Sequence, residues 1–184
     1  VCCNRGVNGI DGSLSTATGF ALGSPRMTYA LIGDLSFFYD QNALWKKSLP
    51  SNLRILLFNN GGGGIFHVLP GLDSEHRDLY IAGSNGFSAR HVAETFGLGY
   101  LSAKNAGELD AALKQFCGTG EGKAPLLLEV FTDIEKDASA TRALTAAGAG
   151  TSDRYFSSQT RKPCRRDYGT ARMENHQKIR RDTL

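Results

Sequence analysis

Two short polar clusters stand directly behind apolar runs in this 184-residue chain. Gly33-Asp34-Leu35-Ser36 follows Tyr29-Ala30-Leu31-Ile32, and Asn59-Asn60-Gly61-Gly62-Gly63-Gly64 follows Leu53-Arg54-Ile55-Leu56-Leu57-Phe58. Asp34 offers a carboxylate, Asn60 an amide oxygen and the glycines their backbone carbonyls. That is a hard oxygen set, suited to Mg²⁺ rather than to a soft metal. Mg²⁺ held in this way keeps positions open for phosphates and water. Ser36, with the amides that open the following helix, is placed to receive those phosphates. The glycine run lets the backbone approach a ligand closely. The residues therefore predict a site for a diphosphate clamped through a divalent cation.

The spacing supplies the positioning elements. Both apolar runs have the length and bulk of buried strands. Between them, residues 37–49 read as a helix with acidic Asp40 in the first turn and basic Lys46 and Lys47 in the last, stopped by Pro50-Ser51-Asn52. A helix of ~12 residues rising ~1.5 Å each is matched by a returning strand of ~6 residues at ~3.3 Å each. The chain thus returns to the height it left. Parallel strands joined in this way put Asp34 and Asn60 together at the carboxyl edge of a sheet, where open α/β folds bind ligands. A Gly-Asp pair after a strand is common in turns; the Asn-Asn-Gly run at the return distance is what gives it chemical meaning. Other phosphate motifs fit poorly, since no G-x-x-x-x-G-K-[ST] occurs and Phe66 stands where a third spaced glycine is needed.

The remaining chain alternates in the same manner. Arg5 to Gly12 is a glycine-punctuated loop, with Ser13 or Ser15 expected to cap the helix that follows. Val1-Cys2-Cys3 reads as the end of a strand already under way, so a truncated N-terminus is expected. Ile65 to Pro70 is an apolar, lid-like segment, within which His67 carries no assignable role. Residues 71–86 are irregular and charged, and read as a mobile loop. Ser88 and Gly97 bracket a helix, Leu98 to Ser102 is a short strand, and Asn105 with Glu108 forms a capping box before a helix through Phe116. Leu126 to Phe131 is the strongest strand. The fold class expected is α/β, a doubly wound, mostly parallel sheet with helices on both faces.

Composition separates a tail from this domain. Residues 141–184 hold ten Lys or Arg and four Asp or Glu (net +6), whereas 1–140 hold eleven and fourteen (net −3). The overall +3 is a property of the tail. The expected division is a cofactor-binding domain over 1–137 and a basic, disordered or aberrant tail over 138–184, for which a frameshifted or read-through terminus is the favoured origin. No aromatic interleaving in the tail points to nucleic acid. No apolar run is long enough for a membrane span, and Cys2, Cys3, Cys117 and Cys164 show no metal or redox spacing. A cytoplasmic protein with reduced thiols is expected.

The Gly33-Asp34 and Asn59-Asn60 pair resembles the diphosphate and metal motif of thiamine-diphosphate enzymes. Asn4-Arg5-Gly6-Val7-Asn8-Gly9-Ile10-Asp11-Gly12 and Gly62-Gly63-Gly64-Ile65-Phe66-His67-Val68-Leu69-Pro70 narrow the likeness. Together they resemble the 2-succinyl-5-enolpyruvyl-6-hydroxy-3-cyclohexene-1-carboxylate synthase family of menaquinone biosynthesis, over roughly 1–136 and in its C-terminal cofactor domain only. The resemblance implies thiamine diphosphate held by Ile10, Gly33, Asp34, Leu35, Ser36, Asn60, Gly62 and Ile65. It implies Mg²⁺ (or Mn²⁺) on Asp34, Asn60 and the Gly62 carbonyl. Arg5 would meet a substrate carboxylate, Ile10 would wedge the cofactor into its bent shape, and Ile65, Phe66 and Leu69 would line the substrate pocket.

The implied activity is decarboxylation of 2-oxoglutarate and addition of the succinyl carbanion to isochorismate. Family members draw an activating glutamate from a separate N-terminal pyrimidine-binding domain across a subunit interface. No segment here matches it. No catalytic residue is therefore identified in this chain, which alone is expected to be inactive and which, in the complete enzyme, is expected to be part of a homo-oligomer. Two alternatives stay open: a fragment of another thiamine-diphosphate enzyme (acetolactate-synthase-like or an oxoacid decarboxylase), or a non-catalytic binding module.

Overall fold

A computed structural model describes residues 1–3, 9–118 and 124–148. The chain divides into two compact units, Val1–Leu144 and Thr145–Leu184, and only 145–148 of the second are described. Arg5 and the basic tail from 149 onward lie outside the described residues.

Four strands, β1 (Thr28–Gly33), β2 (Leu53–Asn59), β3 (Gly99–Ala103) and β4 (Leu126–Phe131), form one sheet in the order β1-β2-β4-β3. Every pairing is parallel. Helices α1 (Ser13–Leu22), α2 (Asp34–Tyr39), α3 (Arg90–Phe96), α4 (Ala106–Phe116) and α5 (Ile134–Gly148) complete the description. Side chains alternate between the sheet's faces along each strand, which sorts the core into two layers. Ile32, Leu53, Ile55, Leu57 and Leu127 pack with Leu14 and Ala21 of α1, Phe37 of α2, Ala93 of α3, and Leu44 in the connection after α2. On the opposite face Leu128, Val130 and Leu56 pack with Ala112, Phe116, Leu109 and Leu113 of α4. The doubly wound α/β expectation holds.

The register does the positioning. Ile32 pairs with Leu57 and Gly33 with Phe58, so Asp34 comes level with Asn59, one residue before Asn60.

Several local expectations are corrected. The helix expected over 37–49 is two short pieces, α2 and a 3₁₀ turn at Gln41–Leu44. Aromatic residues 37–39 are indifferent helix formers, and Asp40 has a stronger commitment. Its two oxygens accept from the Ser15 amide and hydroxyl, both at 2.6 Å. That contact also corrects the capping of α1: Gly12 is the cap residue, Ser13 is already helical, and Ser15 anchors α1 to Asp40. Ala89 rather than Ser88 holds the cap position of α3, although the Ser88 hydroxyl accepts from the first helical amide, Arg90, at 3.3 Å while donating to Glu129. Gly97 with φ 72° does end α3, a conformation that a side chain disfavours. The Asn105 side chain accepts from the Glu108 amide at 3.0 Å, as its spacing predicts. Val1–Cys3 are exposed and belong to no strand. The boundary expected at 137/138 falls inside α5, where Ala138 is only 1% exposed and so belongs to the packed unit.

Residues 71–86 are more ordered than their composition suggests. A single π-helical turn spans Arg77–Ile81, and His67 clamps it to α5. The His67 ring is buried, with Nδ1 2.8 Å from Glu135 Oε1 and Nε2 3.0 Å from Asp78 Oδ1, the latter contact lacking hydrogen-bond alignment. Arg77 reaches Asp73, Asp78 and Glu135, and Arg142 donates to the His67 carbonyl at 2.6 Å. Asp78 and Glu135 are more than half exposed, so each pair contributes at most about 1 kcal/mol.

Two outcomes are expected from this packing. Leu57→Ala, at a fully buried position, should cost about 2–5 kcal/mol in denaturant unfolding. Leu31→Ala, on the uncovered part of the opposite face, should stay within about 0.5 kcal/mol. Equal costs would contradict the face assignment. His67→Ala should speed tryptic cleavage after Arg77 several-fold, because local opening of 64–82 then meets fewer contacts; an unchanged cleavage rate would show that the charged cluster holds nothing.

Candidate functional site

Asp34 opens α2 at the carboxyl end of β1 and is 2% exposed. Its Oδ1 accepts from the Leu35 amide at 2.8 Å. Its Oδ2 is buried with no hydrogen-bond partner. Burial raises the Asp34 carboxyl above its ordinary value, while the amides of Leu35, Gly61 and Gly62 favour the charged form and pull the other way. The Gly61 and Gly62 amides therefore lie close to this carboxylate, although neither satisfies Oδ2. The structure thus brings Asp34 and the glycine turn together across two strands.

The turn itself is tightly specified. Asn60 Oδ1 accepts from the Gly62 amide at 3.3 Å and its Nδ2 donates to Asp137 Oδ2 at 3.3 Å. Gly61 takes φ +81°, and a Cβ there would lie 3.1 Å from the Asn85 carbonyl, so both conformation and space require glycine. The Gly61 carbonyl accepts from the Asn85 amide and the Gly63 amide donates to the Ala82 carbonyl, both at 2.7 Å. The Gly62 carbonyl accepts from Gly64 at 3.1 Å and retains a second lone pair. Beside the turn lies a cleft of about 210 Å³ lined by Asn59, Asn60, Gly61, Asn85, Gly86, Phe87, Phe131 and Thr132. It sits where β2 and β4, which are not consecutive in the chain, lie side by side.

The other expected residues fall around this turn. Gly33 ends β1 in an extended conformation, and Leu35 and Ser36 are half-buried in α2. Because α2 has only six residues, Ser36 sits near the middle of a short helix rather than at the head of a long one. Gly64–His67 form a 3₁₀ turn, on which Phe66 is half-buried. Ile65 is 62% exposed, and Leu69 just beyond is 46% exposed. Ile10 is exposed in the bend before α1. Arg5 is outside the described residues and is not brought to the site by any observation.

Sequence reading missed Glu129. This carboxylate is fully buried in β4, beside the site. Oε1 accepts from Asn59 Nδ2 at 2.7 Å and the Ala89 amide at 3.0 Å. Oε2 accepts from Ser88 Oγ at 2.8 Å and Tyr100 OH at 2.5 Å. Four donors from three segments, Asn59 of β2, Ser88 and Ala89, and Tyr100 of β3, saturate it. Desolvation, and then the hydrogen bond to Glu129, raise the Tyr100 phenol above its ordinary value. The one available signal was a lone acid inside an otherwise apolar strand, since a buried carboxylate requires partners.

The donor set fits a divalent cation. A buried carboxylate oxygen without a partner costs free energy that a bound cation removes, and amide and carbonyl oxygens are the hard ligands that Mg²⁺ accepts. Among the described residues no three His, Cys, Asp or Glu side chains cluster to hold a metal, so a cation here rests on one carboxylate and neutral oxygens.

Comparison with known proteins shows the family of the domain. Residues 4–130 match the family model described as thiamine pyrophosphate enzyme, C-terminal TPP binding domain. The chain is 49% identical over 143 residues to the 2-succinyl-5-enolpyruvyl-6-hydroxy-3-cyclohexene-1-carboxylate synthase of Phocaeicola vulgatus, covering 77% of this chain and 26% of that protein. It is 52% identical over 139 residues to the synthase of the same name from Bacteroides thetaiotaomicron, covering 75% of this chain and 25% of that protein. The chain thus spans about a quarter of the length of these relatives. A solved thiamine diphosphate-dependent 4-hydroxybenzoylformate decarboxylase from Rhodococcus jostii RHA1 aligns at TM-score 0.47 and 28% identity, over 66% of this chain and 23% of that one. The chain therefore belongs to the thiamine pyrophosphate enzymes, and residues 4–130 are a C-terminal TPP-binding domain of that family.

Proposed function

We propose that this domain is the cofactor-holding part of a synthase that decarboxylates 2-oxoglutarate and joins the resulting succinyl unit to isochorismate in menaquinone biosynthesis. The observation that carries the cation site is the partnerless, buried Oδ2 of Asp34 beside the Gly61–Gly62 turn. The identity of about half the aligned residues to synthases of that name supports the substrate reading.

In this reading Asp34, the Asn60 amide oxygen and the Gly62 carbonyl hold Mg²⁺ (or Mn²⁺), with Gly33, Leu35 and Ser36 beside the diphosphate. Thiamine diphosphate, when bound, supplies the electron sink for decarboxylation and carbon–carbon bond formation. The chain's own residues do the placing. Asp34 would hold the cation that offsets the diphosphate's charge, and the turn from Asn60 to Gly64 fixes the direction of the amide and carbonyl ligands. Ile65, Phe66 and Leu69 form an apolar wall against which substrate is oriented and water excluded, Ile10 supports the cofactor rings, and Arg5 receives a substrate carboxylate.

The partner in this reading is the N-terminal pyrimidine-binding domain of the same enzyme, which supplies the activating glutamate, within a homo-oligomer. No helix among the described residues is long and apolar enough to cross a membrane. Cys2, Cys3 and Cys117 are free thiols, in keeping with work in the cytoplasm.

Calorimetric titration of thiamine diphosphate into the chain together with the separately produced N-terminal domains is the test. Binding should require Mg²⁺, vanish with EDTA and weaken by about 100-fold or more in Asp34→Ala. It should also weaken on acidification, beginning at a higher pH than for an ordinary aspartate, because metal binding needs the ionised carboxylate and burial has raised Asp34. Turnover of 2-oxoglutarate with isochorismate should appear only in the reconstituted pair. Metal-independent binding would overturn the site, and turnover of other 2-oxoacids alone would overturn the substrate assignment.

A further inference from the structure

We infer that Glu129 is a positioning residue for the cation-binding turn, acting through Asn59. The inference rests on the proposed function of that turn and adds to it a residue from β4, on a strand that contributes no ligand. Glu129 accepts only, so the group that Asn59 turns toward it must be the amide nitrogen. The second proton of that nitrogen goes to the Phe87 carbonyl at 2.8 Å, which fixes the same orientation a second time. Asn59 Oδ1 is thereby aimed at the Gly61 amide, 3.2 Å away.

Gly61 is then held at both ends. Its amide meets Asn59 and its carbonyl accepts from the Asn85 amide at 2.7 Å. Its left-handed conformation sets the angle between the residues on either side of it, and so the place of the Gly62 carbonyl relative to Asn60. Glu129 reaches the far side of the turn as well, because it also accepts from Ser88 and Ala89, just beyond the 82–87 segment that packs on the glycines. One buried carboxylate thus sets both walls of the loop. Outer-shell partners of this kind govern ligand direction without touching the metal.

Amide hydrogen exchange on the full chain tests this without any ligand, so its outcome is independent of whether cofactor binds. In Glu129→Gln, which places a donor among four donors, protection at Gly61, Gly63 and Asn85 should fall by about tenfold or more relative to β1 and α4. Tyr100→Phe removes a donor from Glu129 but leaves the Asn59 link, and should lower stability without that local pattern. Asn59→Ala breaks the relay itself and should reproduce the local loss at Asn85 as well as at Gly61; if Glu129→Gln fails to fold, Glu129→Asp, which keeps the charge but shortens the reach to Asn59, should show the same local pattern. An even loss of protection across the chain, or unchanged protection at Gly61 and Asn85 in Asn59→Ala, would overturn the inference. With Mn²⁺ as the probe in the reconstituted pair, Glu129→Gln should weaken metal affinity by about 10–100-fold. If the wild-type pair binds no Mn²⁺, the proposed function fails while the exchange result still decides the role of Glu129.

Discussion

A buried carboxylate oxygen with nothing to accept from is among the more expensive features a small domain can keep. Asp34 is in that condition, and much of the first unit is arranged around it. The β1–β2 register brings it level with Asn59, and the glycine turn brings two amides near it. Those amides favour the charge without satisfying Oδ2. The balance leaves a carboxylate whose charge is supported by nearby amides but whose Oδ2 has no partner, the feature on which the proposed cation site rests.

Two sets of contacts tie the surrounding loops to the sheet and to α5. Glu129 works from inside the sheet, with every acceptor position filled. His67 works from the surface side, between Asp78 and Glu135. They differ in kind. The Glu129 hub is buried and depends on hydrogen-bond direction, whereas the His67 cluster has exposed carboxylates and depends on screened charge. The inner contacts are therefore directional and buried, whereas the outer ones are screened and open to water.

What the sequence showed, and what it withheld, follows from distance along the chain. The strands, the parallel crossover and the meeting of Asp34 with the glycine turn were readable, because period and length arithmetic act over about 30 residues. So were the Asn105 cap and the Gly97 stop, which are local. Asp40 was read as a helix-dipole residue, yet its partner is Ser15, 25 positions earlier. His67 was set aside for want of a role, since its partners arrive from residues 78 and 135. Glu129 gathers donors from positions 59, 88, 89 and 100, and no pattern in one strand could announce them. Long-range polar contacts are invisible to periodicity, and here they are the contacts that shape the site.

The distribution of surface around the turn says what kind of site this is. Its floor is polar and, Asp34 Oδ2 apart, extensively hydrogen-bonded, but its rim is apolar and bare. Ile65, Leu69, Leu79, Tyr80 and Phe87 sit on the segments that frame the turn, and all are exposed. Large apolar side chains framing a polar pocket are costly to leave in water and mark a surface that meets something else. A self-sufficient pocket encloses most of its ligand, whereas a cleft of about 210 Å³ is small for a diphosphate-bearing cofactor with two rings. The chain also spans only about a quarter of its relatives. The polar cleft offers hydrogen-bonding groups at its base and bare apolar side chains at its rim, which is the arrangement the proposed function draws on.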